Sequence, residues 1–209
     1  MGIRLYGWAR STASRVHWAL EELGVGYEYV TLDEKKGEHR TPAFMAMSPG
    51  GKVPALVDDG HAYFESAAII IHLGEAHGRE RGMWPASGGA RADALSWTVW
   101  GTVELYVYMM QWLYHGVDTV VSYAPEARSQ ATADYNHGQY QRMLDALDAR
   151  LGGRDYIMGK SFSLVDVPAA AVLLVGRDLG GGIEGRKNVA AWLERCRTRP
   201  AFARIGGAG

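Results

Sequence analysis

Apolar positions along this chain recur first in short alternating runs and later at helical spacing. Ile3 to Gly7 predicts a short strand, and Ala13 to Leu23 predicts a helix with Val16, Leu20 and Leu23 on its core side and Gly24 as its stop. Tyr27 to Leu32 predicts a second strand. Val53 to Val57, the turn Asp58-Asp59-Gly60 and the return from Ala62 to Phe64 predict a β-hairpin. Glu65 and Ser66 then open a helix with Ile69, Ile70 and Leu73 on one face, and Ser66 has the chemistry of an N-cap. Pro54 cannot donate to a sheet ladder, so it belongs at a strand's first position or in a turn, and if its peptide bond is cis it orients Val53 outward. Gly82, Pro85, Gly88 and Gly89 in a polar setting predict a linker over 78–89. Beyond it strand alternation ceases. Helical stretches are expected over 90–123, from Pro125 to Gly152-Gly153, over 163–179 and over 189–197. The expectation is an α/β first domain of order βαβαββα over 1–77 and an all-helical second domain over 90–209.

Composition and charge narrow the classes. With 209 residues and 47% hydrophobic content, the chain can bury a substantial core in one large or two small domains. A net charge of −1, from 22 basic and 23 acidic residues, provides no field for nucleic acid or an anionic membrane, so neither partner is expected. No apolar run approaches the length of a membrane span, MGIRLYGWAR lacks the apolar core of a signal peptide, and Tyr6 stands where a myristoylation motif needs Ser or Thr. A cytoplasmic location is therefore expected. The single cysteine, Cys196, excludes intrachain disulfides and a cysteine-rich metal site, and no metal is expected.

Val53-Pro54 entering a hairpin, with Glu65-Ser66 at the next helix start, resembles the glutathione site of the glutathione transferases. The resemblance implies a thioredoxin-like first domain and a cis Val53-Pro54 bond. The backbone of Val53 would pair with the cysteinyl unit of glutathione, while Glu65 and Ser66 hold its γ-glutamyl end. The free N–H groups and dipole at a helix start suit a carboxylate independently of any family. The segment LYGWARSTASRVHWALEELG resembles the theta-like serine branch, in which Ser11, in the loop before the helix, would be the group that activates the thiol. Tyr6 and Thr12 are the rivals, and Ser14 reads as a helix cap. Ala13 and Ser14 occupy the places where other branches carry cysteine, so no cysteine nucleophile is expected.

KKGEHRTPAFMAMSPGGKVPAL resembles the theta class in spacing and type, which implies that His39 and Lys52 bind the glycine carboxylate of glutathione. The electrophile pocket is expected against the aromatic and sulfur-rich stretch from Thr102 to His115, with Tyr106, Met109, Met110 and Trp112 as candidates and Trp8 as a wall. The chain ends soon after Phe202 in GGAG, which implies an open pocket. Ser163 and Asp166 have the spacing of a capping box, a structural device that the family also carries.

The resemblance as a whole implies an enzyme that stabilises the glutathione thiolate and conjugates it to a small hydrophobic electrophile, with glutathione as co-substrate. It implies a homodimer in which Glu104 of one subunit reaches the γ-glutamyl amine bound by the other. The same fold also performs glutathione-dependent dehalogenation, ether cleavage, isomerisation and peroxide or disulfide reduction, and it serves as a non-catalytic binding module.

Overall fold

A computed structural model describes residues 2–206 of the chain. The chain divides into two compact units, Met1–Arg91 with Pro200–Gly209, and Ala92–Arg199.

The first unit contains β1 (Ile3–Gly7), α1 (Ala13–Leu23), β2 (Tyr27–Thr31), a 3-10 turn at Glu38–Arg40, α2 (Pro42–Met45), β3 (Ala55–Asp58), β4 (His61–Phe64), α3 (Ser66–Leu73) and a π-helical turn at Gly74–Gly78. The sheet order is β2-β1-β3-β4, with β1 and β2 parallel and the other pairs antiparallel, which is the thioredoxin-like arrangement. Leu5 pairs with Leu56 in the register, and both are fully buried. α1 adds Val16, Ala19 and Leu20, and α3 adds Ile69, Ile70 and Leu73, so every predicted core face is buried. Each large aliphatic side chain so buried contributes about 1.5–3 kcal/mol before chain entropy is set against it. Gly24, at φ 63°, ends α1 in the left-handed conformation that glycine adopts without penalty.

The chain returns to this unit in a short helix that the sequence pattern does not foreshadow, α9 (Pro200–Arg204). Its five residues are too few to show a period. Phe202 packs on Trp18 with ring centroids 4.8 Å apart, and Arg204 hydrogen-bonds the carboxylate and the backbone carbonyl of Glu21.

The second unit is helical: α4 (Gly88–Thr102, its first turn belonging to the first unit), α5 (Glu104–Gly116), α6 (Gln130–Leu151), α7 (Asp166–Asp178) and α8 (Lys187–Arg197). The stretch expected as one helix over 90–123 is instead two helices and a loop. The first break falls at Val103 (φ −106°, ψ −72°). The second follows Gly116, where the Ser122 hydroxyl sits 2.9 Å from the Leu113 carbonyl and 2.5 Å from that of Val117, satisfying carbonyls that a continuing helix would have used.

Asp166 is the hub of this unit. It is fully buried, one carboxylate oxygen accepting from the Ile157 N–H (2.8 Å) and the Trp192 indole N–H (2.9 Å), the other from the Ser163 N–H (2.9 Å) and hydroxyl (3.2 Å). The expected capping box is thus half formed. The Asp166 side chain reaches back to the Ser163 N–H, but the Ser163 hydroxyl donates to the carboxylate instead of accepting from the Asp166 N–H, which bonds the Ser163 carbonyl. Burial pushes the Asp166 carboxyl up from its ordinary value, against the four donors that pull it down.

Candidate functional site

The register brings three loop ends together at one end of the sheet. Tyr6 pairs with Ala55 and Ala55 with Phe64, so Gly7 and the loop after it, Pro54, and Glu65 lie side by side. The Val53-Pro54 peptide is cis, as the resemblance implies.

After β1 the chain passes through Trp8 and Arg10, the latter at φ 65°, a left-handed conformation uncommon outside glycine. Ser11 follows, half-buried. Its hydroxyl donates to the Trp8 carbonyl at 2.6 Å and accepts from the Ala13 N–H at 3.2 Å. Ser11 therefore satisfies one orphan donor of α1, a capping task that the sequence assigned to Ser14. Ser14 lies within the first turn of α1, and its hydroxyl donates back to the Ser11 carbonyl at 2.8 Å. Thr12 occupies the N-cap position, and its hydroxyl donates to the Val53 carbonyl at 2.9 Å. This bond ties the two loops that frame the site, and side-chain type alone gives no sign of it. Tyr6 stays within the strand, its ring edge-on to Phe44 at 6.3 Å.

The start of α3 differs from the N-cap drawn from Ser66. Glu65 holds the N-cap position at φ 65°, ψ 120°, and Ser66 is the first helical residue, nearly buried. No side chain caps the helix and its first turn holds no acid, so its terminal N–H groups keep the positive end of the helix dipole available to an anion. A non-glycine residue at this φ is held by its surroundings at a cost of about 1–3 kcal/mol, which commonly marks a functional position.

His39 is 9% exposed, and its ring lies 5.3 Å from that of Trp8. Its Nε2 accepts from Arg40 Nε at 3.2 Å, while its buried Nδ1 has no hydrogen-bond partner. Lys52 is exposed, two residues before the cis proline, and its carbonyl accepts from the Ser48 hydroxyl at 2.8 Å. Gly51 between them sits at φ 57°, where a Cβ would come within 3.2 Å of the His39 carbonyl, so the Lys52 and His39 segments are in close backbone approach.

The pocket candidates of the second unit are placed unequally. Met109 is fully buried, and its sulfur fills the space where a Cβ on Gly176 would stand, 2.3 Å away, so it is core to the α5–α7 packing. Met110 is 8% exposed, Tyr106 half-buried, and Trp112 stacks on His137 at 4.4 Å and on Tyr140 at 5.5 Å. Glu104 is exposed in the first turn of α5.

The sequence reading also passed over a cluster at the far end of β3. His72 and His77 both place Nε2 against one oxygen of Asp58, at 2.8 and 2.9 Å. Its members sit five residues apart on a helix and at a hairpin turn, a spacing that no ordinary helix period brings together.

Comparisons with known proteins agree with this architecture. Residues 1–75 match the family model of the glutathione S-transferase N-terminal domain, and residues 110–200 that of the C-terminal domain. Glutathione S-transferase 4 of Zea mays is 32% identical over 208 residues, covering 97% of this chain and 91% of the relative. A glutathione transferase of Burkholderia graminis, solved with two glutathione molecules per subunit, superposes with a TM-score of 0.83 at 26% identity, covering 98% of this chain and 87% of that one. A theta class glutathione S-transferase of Xanthomonas axonopodis pv. citri, solved with glutathione bound, gives 0.82 at 27% identity, covering 97% and 96%. The chain belongs to the glutathione S-transferase family. Among its described residues no helix is long and apolar enough to cross a membrane.

Proposed function

We propose that this protein binds glutathione at the end of the sheet where Ser11, Val53, Glu65 and Ser66 converge, stabilises its thiolate, and transfers it to a small hydrophobic electrophile. The observation that carries this reading is the uncapped, acid-free start of α3 beside the cis Val53-Pro54 bond. Ser66 and the terminal N–H groups of α3 receive the γ-glutamyl carboxylate, with Glu65 beside them. The Val53 backbone pairs with the cysteinyl unit, and His39 and Lys52 take the glycine carboxylate. His39 brings a buried ring nitrogen that lacks a partner.

Ser11 is the thiol activator on this reading, in keeping with a serine-type, theta-like branch. A free thiol has a pKa near 8.5, and lowering it by about two units requires about 2.7 kcal/mol of preferential stabilisation of the anion. A hydroxyl bond to the sulfur and the positive end of α1 supply energies of that order. The hydroxyl proton must then turn from the Trp8 carbonyl to the sulfur, while the Ala13 N–H continues to donate to the oxygen. Tyr106, Met110 and Trp112 of the second unit are the proposed walls for the electrophile, and Met109 supports them from the core. The protein is proposed to act as a cytoplasmic homodimer, with Glu104 reaching the partner's glutathione.

One observation favours a second reading, a glutathione-binding module without conjugating activity: the Ser11 proton is already engaged at 2.6 Å. Retention on immobilised glutathione, together with thiol conjugation to an aryl halide and to an epoxide, separates the two. Binding with turnover supports the enzyme, binding without turnover the module, and absence of binding defeats both.

A further inference from the structure

The π-helical turn at Gly74–Gly78 has a local consequence at the far end of the sheet from Ser11. In an α-helix, residues five apart point about 140° away from each other. The i→i+5 pattern of a π turn stacks them, and such turns cluster at functional positions. Here the switch out of α-helix directly after Leu73 brings His77 over His72, and both face Asp58 at the end of β3.

The three ligand-bearing atoms, two imidazole Nε2 and one carboxylate oxygen, lie within 4.8 Å of one another. A four-coordinate zinc with ligands at about 2.0–2.2 Å separates them by about 3.4 Å. The present separations of 2.8 and 2.9 Å from the carboxylate need therefore open by only about half an ångström. The side chains can make that adjustment, because His72 and His77 are 21% and 27% exposed, and solvent can reach the cluster. The Tyr63 ring stacks on His72 at 3.9 Å and 17°, holding that imidazole in its orientation. Two imidazoles and one carboxylate form a borderline donor set suited to zinc, cobalt, nickel or copper and unsuited to magnesium or calcium.

We infer that Asp58, His72 and His77 form a binding site for one divalent transition-metal ion, completed by water, at the end of the sheet opposite the glutathione site. The ion takes the place of the two hydrogen bonds to Asp58. Each imidazole then carries its proton on Nδ1 and presents Nε2 to the metal, so no net proton is lost from either ring. The ion cross-links the β3–β4 turn to the end of α3, and it binds the folded chain only, because the unfolded chain does not hold the three residues together.

The test is calorimetric titration of the untagged, glutathione-free full chain with ZnCl2, repeated with His77→Gln and His72→Gln. Glutamine keeps a side-chain donor for Asp58 but not an imidazole ligand, and near-ultraviolet circular dichroism checks that each variant is folded. The expected result is one Zn2+ per chain, weakened at least about tenfold in both variants, a loss comparable to or larger than that from an outer-shell change. A second readout, independent of variants, is the visible absorption of added Co2+, whose intensity reports a low-coordinate nitrogen and oxygen site. Absence of stoichiometric Zn2+ binding, binding weakened less than about tenfold in the variants, or a Co2+ spectrum no stronger than that of the hydrated ion would each show that the cluster is only a hydrogen-bonded staple.

Discussion

On the proposed reading, Ser11 carries two duties that pull on one hydroxyl. As a cap it orders the start of α1, and as an activator it must address a sulfur. Replacing it with alanine is expected to leave glutathione affinity nearly intact and to lower turnover by about one to three orders of magnitude, since the proposed binding contacts are kept and the interaction with the thiolate is lost. Steady-state kinetics against a glutathione-binding isotherm check this, and an unchanged rate would move the role to Thr12 or Tyr6. The lost cap bond adds a separate cost of about 1 kcal/mol in stability, visible in denaturant melts. Asp166 allows a cleaner test. Asp166→Asn keeps the shape but turns an amide NH2 toward two of the four buried donors, whichever way it flips. A loss of about 2–5 kcal/mol in urea unfolding is expected. Candidate residues such as Ser11, Val53 and Glu65 were legible because proline, loop serine and a Glu-Ser helix start are local signals. The Thr12–Val53 bond joins residues 41 apart, and the bond between Ser11 and Trp8 depends on the left-handed Arg10, so neither could be read from residue type.

At the level of elements, β1, α1, β3 and α3 follow from alternation, helical spacing and stop residues, because each of them buries one side. The pattern fails where side chains outside the periodic face decide. The Ser122 hydroxyl sits against the Leu113 and Val117 carbonyls where α5 ends, and the π turn after α3 leaves apolar spacing unaltered while moving His77 by a fraction of a turn. The π turn also leans on a glycine contact. Gly74 faces Trp84, which is 3% exposed, and a Cβ there would lie 2.4 Å from the indole ring. Gly74→Ala gains up to about 1 kcal/mol in helix propensity but forces overpacking worth about 1–3 kcal/mol. Net destabilisation is expected, measured by urea unfolding, and it should be relieved when Trp84 is also shortened to Leu.

Across the whole molecule, the proposed dimer has an exposed apolar surface available to bury. Val99, Val103 and Val107, at 45%, 50% and 45% exposure and four residues apart, form one exposed apolar stripe. A dimer by light scattering at micromolar concentration is expected for the unaltered chain and a monomer for Val103→Asp. Acid should loosen a second tie. Burial tends to raise the Glu21 carboxyl, but the Tyr27 hydroxyl at 2.5 Å and Arg204 outweigh it and hold it below its ordinary value. A lowered folded pKa means stability present above the unfolded value near 4.3–4.5 and lost as pH falls through the lower folded one. Glu21→Gln is therefore expected to be less stable than the parent at neutral pH, with the difference shrinking below about pH 4 in thermal melts. The same tie has a bearing on how the protein is made. Trp18 is covered by Phe202, and the carboxylate of Glu21 is met by Arg204, both from the segment after Pro200. A ribosome therefore delivers α1 long before it delivers the residues that close over it, and the unit whose synthesis begins first is the one that is finished last.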